Sequence, residues 1–169
     1  MKCLLSIIAV LGLLYATPAP ADSEAFNRYI ANIKAKAEAG DPDAEASLGM
    51  AYSRGRGVPQ DDAESLRWLR KAADQGNARG QMFLGSAYAF GKGVPVDKGE
   101  AAKWWRNAAE QGEPNAEVLL GQAYYLGSGV TQDKALGKKL LTRAALQGNE
   151  AAIRFLQSIG VPVTVQVGK

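Results

Sequence analysis

Histidine is absent from this chain, and cysteine occurs once, at Cys3. The first absence excludes Ser-His-Asp triads, Cys-His pairs and every imidazole proton shuttle or metal site. The second excludes an intramolecular disulfide. No phosphate loop of the GxxxxGK[ST] kind occurs. Ser23, Ser47, Ser53, Ser65, Ser86, Ser128 and Ser158 all fail to begin the Ser-x-x-Lys motif of penicillin-recognising enzymes. Neither sign of charge dominates, with 20 Lys and Arg against 17 Asp and Glu, a net of +3. Long apolar runs are missing as well. The one candidate, Leu4 to Tyr15, is broken by Ser6 and Gly12 and falls short of the ~20 residues that cross a bilayer.

That run follows Lys2 and precedes Pro18, Ala19, Pro20 and Ala21. A cation, a short apolar stretch and small residues in this order predict a secretory signal peptide over residues 1–21, cut after Ala21. An uncleaved anchor is the alternative. Cys3 precedes the apolar run, whereas a lipoprotein signal needs it after. Cleavage leaves Asp22–Lys169, a chain without cysteine, with 19 cations against 17 carboxylates. Disulfides, thiol nucleophiles and thiolate ligands are then all excluded, and the fold must rest on its apolar core.

What is present is a repeat. The stretch from Leu84 to Gly112, LGSAYAFGKGVPVDKGEAAKWWRNAAEQG, matches Leu48 to Gly76 and Leu120 to Gly148 at shifts of 36 residues, with no insertion or deletion. Self-similarity at this period predicts a stacked array in which each unit buries its apolar face on the next. Leu84, Gly85 and Tyr88, with their counterparts Leu48, Gly49, Tyr52 and Leu120, Gly121, Tyr124, recur at helical spacing. This first helix is expected to end at Gly55, Gly91 or Gly127, where glycine takes a left-handed conformation. Asp61, Asp97 and Asp133 are candidate N-caps for a second helix. It carries Trp68, Trp104 or Leu140, then an Ala-Ala pair, and stops at Gly76, Gly112 or Gly148. Gly49, Gly85 and Gly121 lie within a helix, where glycine costs about 1 kcal/mol relative to alanine. Close crossing by the paired helix is the expected reason. The Gly-x-Gly loops follow a helix and not a strand, so they are turns and not dinucleotide sites.

The combination LGxAYxxGxGVPxD followed by WWRNAAEQG resembles the Sel-one-like repeat, a branch of the tetratricopeptide-like α/α solenoids. The resemblance runs from Asp41 to Gly148, about two-thirds of the chain. Thr131 in place of the loop proline and Leu140-Leu141 in place of the aromatic pair are departures confined to the third unit. The resemblance implies an all-α superhelical solenoid and a binding scaffold, usually for another protein, with no chemistry of its own. Cysteine-rich relatives have been linked to β-lactam binding and hydrolysis, but they carry a cysteine pair per repeat, which this chain lacks.

The expected organisation is a cap helix over 23–40, repeats over 41–76, 77–112 and 113–148, a C-terminal cap helix over 149–159 and a tail over 160–169. The cap helix aligns Phe26, Ile30, Ile33 and Ala37 on one face, and Gly40 stands 36 residues before Gly76. It therefore replaces a second helix whose first partner is missing. Leu156 stands 36 residues after Leu120, but Gln157 occupies the glycine position and the unit is not completed. The valine-rich tail packs, is disordered, or pairs with a partner's strand edge.

Cations on the second helices, Arg67, Arg70, Lys71, Lys103, Arg106, Lys138, Lys139 and Arg143, suit the helix dipole and solvent. They are not read as a nucleic-acid stripe. Carboxylate pairs alone can cleave glycosides. The acidic groups Asp61-Asp62-Glu64 and Asp41, Asp43, Glu45 sit at helix starts, where acids are expected for structural reasons. No enzyme, cofactor or metal is expected, and the sequence is silent on oligomeric state. By resemblance, the first helices line the concave face. Residues opposite Leu84, Gly85 and Tyr88 then form its floor. This selects Phe83, Ser86 and Phe90, with Met50 and Arg54 in the first unit and Leu119, Gln122 and Leu126 in the third, beside Tyr125. A protein partner's apolar anchor is expected on Phe83, Phe90 and Leu126. The alternatives are that these residues pack between neighbouring first helices, or that the groove takes a glycan or peptidoglycan.

Overall fold

The aspartates and glycines of the repeat set where helices start and stop. The computed structural model describes residues 21–162. Residues 1–20 of the signal peptide expected over 1–21 and residues 163–169 of the tail expected over 160–169 lie outside the described residues. Eight α-helices and no strand occur among the described residues: α1 Ala21–Glu38, α2 Pro42–Arg54, α3 Asp62–Asp74, α4 Ala78–Phe90, α5 Lys98–Glu110, α6 Pro114–Leu126, α7 Lys134–Leu146 and α8 Glu150–Ser158. The first helix begins two residues upstream of the expected Ser23.

Each second helix, α3, α5 and α7, starts at an aspartate cap. Asp61, Asp97 and Asp133 accept backbone N–H bonds from Glu64, Glu100 and Leu136 at 2.9–3.0 Å. The first helices α2, α4, α6 and α8 are capped by Asp41, Asn77, Glu113 and Asn149. Pro42 and Pro114 take the first helical position, where their missing N–H costs nothing. The first three of these helices end in left-handed glycines, with φ of +63°, +69° and +73° at Gly55, Gly91 and Gly127.

Within a unit the two helices cross closely at the in-helix glycine. A Cβ at Gly85 would lie 2.6 Å from Trp105 Cδ1 and 2.9 Å from the Ala101 carbonyl oxygen. At Gly121 it would lie 2.9 Å from Leu141 Cγ and 3.1 Å from the Gly137 oxygen, and at Gly49 it would lie 2.7 Å from Leu69 Cγ. The opposing side chain thus occupies the space, with the backbone just behind it. Leu48, Leu84, Leu120, Leu141 and the alanine pairs Ala72-Ala73, Ala108-Ala109 and Ala144-Ala145 are buried around these crossings.

A polar bond closes each unit. The side-chain amides of Gln75, Gln111 and Gln147 donate to Glu45 Oε2, Gln81 Oε1 and Glu117 Oε2 at 2.6, 2.7 and 3.3 Å. The acceptors are buried, so the bond satisfies groups that would otherwise be costly there. Burial raises the pKa of Glu45 and Glu117, while Lys71 and Arg143 pull in the opposite direction. Arg143 Nε meets Glu117 Oε1 at 2.6 Å.

Between units, Arg70 donates to the Tyr88 hydroxyl and Arg106 to that of Tyr124. Asn77 and Asn149 donate to Asp43 and Asn115 at 2.6 and 2.9 Å. The second loop glycine marks where each loop rests on the preceding second helix. A Cβ at Gly93 would lie 2.3 Å from the Asp62 oxygen, and one at Gly129 would lie 2.1 Å from the Lys98 oxygen. Gly57 meets Phe26 and Ile30 in the same way. Phe26, Asp62 and Lys98 are spaced by the repeat period, so α1 holds a second-helix place. At the other end, α8 buries Ala152 and Leu156 and exposes Glu150, Arg154, Gln157 and Ser158. A polar outer surface of this kind ends a solenoid.

Candidate partner-binding face

The face opposite the helix crossings carries three cavities in register. The first, about 250 Å³, lies between α1 and α2. The second, about 150 Å³, lies between α2 and α4. The third, about 210 Å³, lies between α4 and α6. Their linings superimpose at shifts of 36 residues. Ile33, Leu69 and Trp105 form successive floors. Ser47, Phe83 and Leu119 stand on one wall, and Met50, Ser86 and Gln122 lie one turn further along. Arg54, Phe90 and Leu126 close the end of the helix, and Arg56, Lys92 and Ser128 follow in the loop. Met50 and Arg54 border both the first and second cavities, and Phe90 borders the second and third, so the three form a row.

The sequence left two roles open for the apolar positions, and the residues divide between them. Phe83 and Leu119 are half-buried and pack into the core between stacked units. Phe90 and Leu126 are 70% and 62% exposed. Met50, Ser86 and Gln122 are half-buried, and Arg54 is exposed with its guanidinium carbon 5.9 Å from the Phe83 ring centre. Tyr125 stands apart from the site proposed for it. It meets Phe155 of α8 edge-to-face, with ring centres 5.6 Å apart, and Lys134 Nζ lies 5.6 Å from its ring centre. It lines none of the three cavities, because the helix turns it toward the next unit.

Several lining residues escaped the sequence reading. Tyr29 and Ile33 come from α1, Leu69 and Trp105 from second helices, and Arg56, Arg79, Lys92 and Lys98 from loops and helix starts. The period relates them to one another, Ile33 to Leu69 and Trp105 and Arg56 to Lys92, but no residue chosen on the first helices names them.

The acidic groups weighed as catalytic pairs are held in structural bonds. Asp41 and Asp61 cap helices, and Asp43 accepts from Asn77. Glu45 accepts from Gln75, and Glu64 pairs with Arg67 and Trp68. Asp62 Oδ1 is buried without a hydrogen-bond partner. No carboxylate lines any of the three cavities. They offer apolar surface, hydroxyls and cations. Among the described residues no group of His, Cys, Asp and Glu has the arrangement of a metal site, and no helix is long and apolar enough to cross a membrane.

Residues 42–77, 78–113 and 114–149 each match the family model described as Sel1 repeat, one residue out of phase with the units defined above. A Sel1 repeat protein from Oxalobacter formigenes, solved by crystallography, is 41% identical over 78% of this chain and 98% of that one, with a TM-score of 0.67. A protective antigen present in uropathogenic Escherichia coli strains, displaying an SLR fold, is 36% identical with a TM-score of 0.70. That match covers 80% of this chain but only 30% of the antigen. The cysteine-rich protein B of Helicobacter pylori is 26% identical over 80% of this chain and 95% of that one, with a TM-score of 0.59. No curated protein sequence matches the chain significantly.

Proposed function

The chain belongs to the Sel1 repeat family, and on that premise we propose that it is an exported, non-catalytic scaffold that holds a partner protein across the face of its first helices. Sel1 repeats commonly serve as protein–protein interaction scaffolds. One observation carries the assignment of the face: three cavities repeat in register with two large apolar side chains, Phe90 and Leu126, exposed along the row. Contiguous exposed apolar surface rimmed by polar groups marks interaction sites. Each cavity sets two aromatic rings, Phe26 with Tyr29, Phe83 with Phe90 and Phe90 with Trp105, among aliphatic residues, and a mixed lining of this kind suits protein side chains. Export rests on the Lys2 to Ala21 segment and places the scaffold in the periplasm or outside the cell.

The test is capture in cells by cross-linking, followed by comparison of variants. Phe90→Ser and Leu126→Ser abolish partner capture while leaving helical circular dichroism and the melting midpoint near wild type, because both side chains are mostly in solvent. Normal capture by both variants removes the face from the account.

A further inference from the structure

We propose that the occupant of this face is an extended, acidic peptide segment that places one apolar side chain in each cavity and its carboxylates against the cations between them. The proposal rests on the reading of the face given above and specifies its ligand. Charge carries it. Five cations, Arg54, Arg56, Arg79, Lys92 and Lys98, line the three cavities, and all five are exposed. No Asp or Glu joins them there. Among the described residues the ion pairs are Arg67–Glu64, Lys103–Glu100, Arg143–Glu117 and Arg154–Glu150, none of which uses a cation of this face. The chain as a whole is nearly balanced in charge, so a row of unneutralised cations on one apolar face is a local feature. Such a face attracts negative partners and repels positive ones.

Size and spacing supply the rest. The smallest of the cavities, about 150 Å³, has the volume at which an apolar cavity accepts a benzene ring. Each therefore takes one aliphatic or aromatic side chain. Helices α2 and α4 pack directly, so the first and second cavities, which flank α2, lie about 10 Å apart, the packing distance of helices. An extended chain of the polyproline II type advances about 3.1 Å per residue with three residues per turn, so side chains three apart share one face and reach successive cavities. The residues between are left beside Arg54, Arg79, Lys92 and Lys98. A basic peptide would meet like charge at every step, and a neutral one would leave the cations unused.

A displayed library of random segments of about 12 residues, long enough to span the row, tests this with purified protein. Selection runs against wild type, with counter-selection on the Phe90→Ser, Leu126→Ser double variant. The proposal predicts that enriched segments are net negative and carry apolar residues about three apart. Synthetic copies bind less tightly as salt rises. Reversal of two rim cations, in Arg54→Glu with Lys92→Glu, weakens them about tenfold. Enrichment of neutral or basic segments that still depend on Phe90 and Leu126 overturns the acidic assignment and leaves the face intact. Failure of any segment to depend on those two residues overturns the face itself, and the acidic peptide with it. Binding of an oligogalacturonate probe that is lost in the charge-reversed variant but unchanged in the double serine variant also overturns the proposal, since the face would then take an anionic glycan.

Discussion

Gly85→Ala inserts one methyl group where the two helices of the central unit cross. That methyl would stand 2.6 Å from Trp105 Cδ1, 2.7 Å from Trp105 Nε1 and 2.9 Å from the Ala101 carbonyl oxygen. None of these atoms yields easily. Trp105 is buried and its Nε1 donates to the Met82 carbonyl oxygen at 3.2 Å, while the Ala101 oxygen belongs to helix backbone. Overpacking of a filled site costs about 1–3 kcal/mol, and a rigid surround points to the upper half. Alanine recovers about 1 kcal/mol of helix propensity. The net loss is then about 1–2 kcal/mol, which lowers the melting midpoint of a chain this size by about 2–8 °C. Gly85→Leu adds atoms to the same space and falls further. Gly99→Ala is the control, because it lies in a helix with its Cβ site 3.3 Å from the Asp97 carboxylate oxygen and 3.7 Å from the Gly129 oxygen, the second an ordinary contact. It should be neutral or gain up to about 1 kcal/mol. The assay is thermal melting followed by far-ultraviolet circular dichroism. A Gly85→Ala midpoint at or above wild type refutes the close-crossing account, since propensity alone predicts that result.

The loop glycines differ in the same way. Gly129→Ala, with its Cβ site 2.1 Å from the Lys98 oxygen, should melt well below Gly112→Ala, which shares a positive φ but has nothing within 4 Å. Equal midpoints would mean that backbone strain, and not loop seating, explains the second glycine. Burial raises the Glu117 carboxyl above its ordinary value of 4.5 against the pull of Arg143. The native state therefore holds more protons than the unfolded chain between 4.5 and the raised value, and wild type should gain on Glu117→Gln as pH falls from about 7 toward 4.5. A difference in melting midpoint between the two that does not change with pH contradicts that sign. Export should yield a chain beginning at Asp22, and mass spectrometry showing Met1 or Lys2 in the exported pool would favour an uncleaved anchor.

Most of the helical framework was legible because the period, the caps and the closing glycines are local and occur three times. Asp61, Asp97 and Asp133 announce helix starts on their own, and Gly55, Gly91 and Gly127 announce ends. The ties between helices were not legible, since they depend on which side chains meet across space. Arg70 and Arg106, read as solvated cations, instead donate to tyrosines of the following unit. Gln75, Gln111 and Gln147 recur in the sequence, yet only the fold brings them onto Glu45, Gln81 and Glu117, 30 positions earlier. Of the candidate site, helical geometry found the residues of the first helices. It could not find the floor, because Leu69 and Trp105 arrive from second helices, nor the rim, because Lys98 arrives from the start of a second helix and Arg79 from the first turn of α4, far along the helix from Phe90. Tyr125 was drawn in by adjacency to Leu126, although one helical step of 100° turns it toward Phe155.

The central claim is that the first-helix face, and no other exposed apolar surface, holds the partner. A photo-crosslinking amino acid placed at Phe90, at Leu126 or at Leu146 tests it in living cells. Leu146 is 67% exposed at the end of a second helix, so it matches the other two in accessibility but not in position. The account predicts a discrete cross-linked adduct from positions 90 and 126 and none from 146. An adduct from 146 alone, or equal adducts from all three, contradicts it.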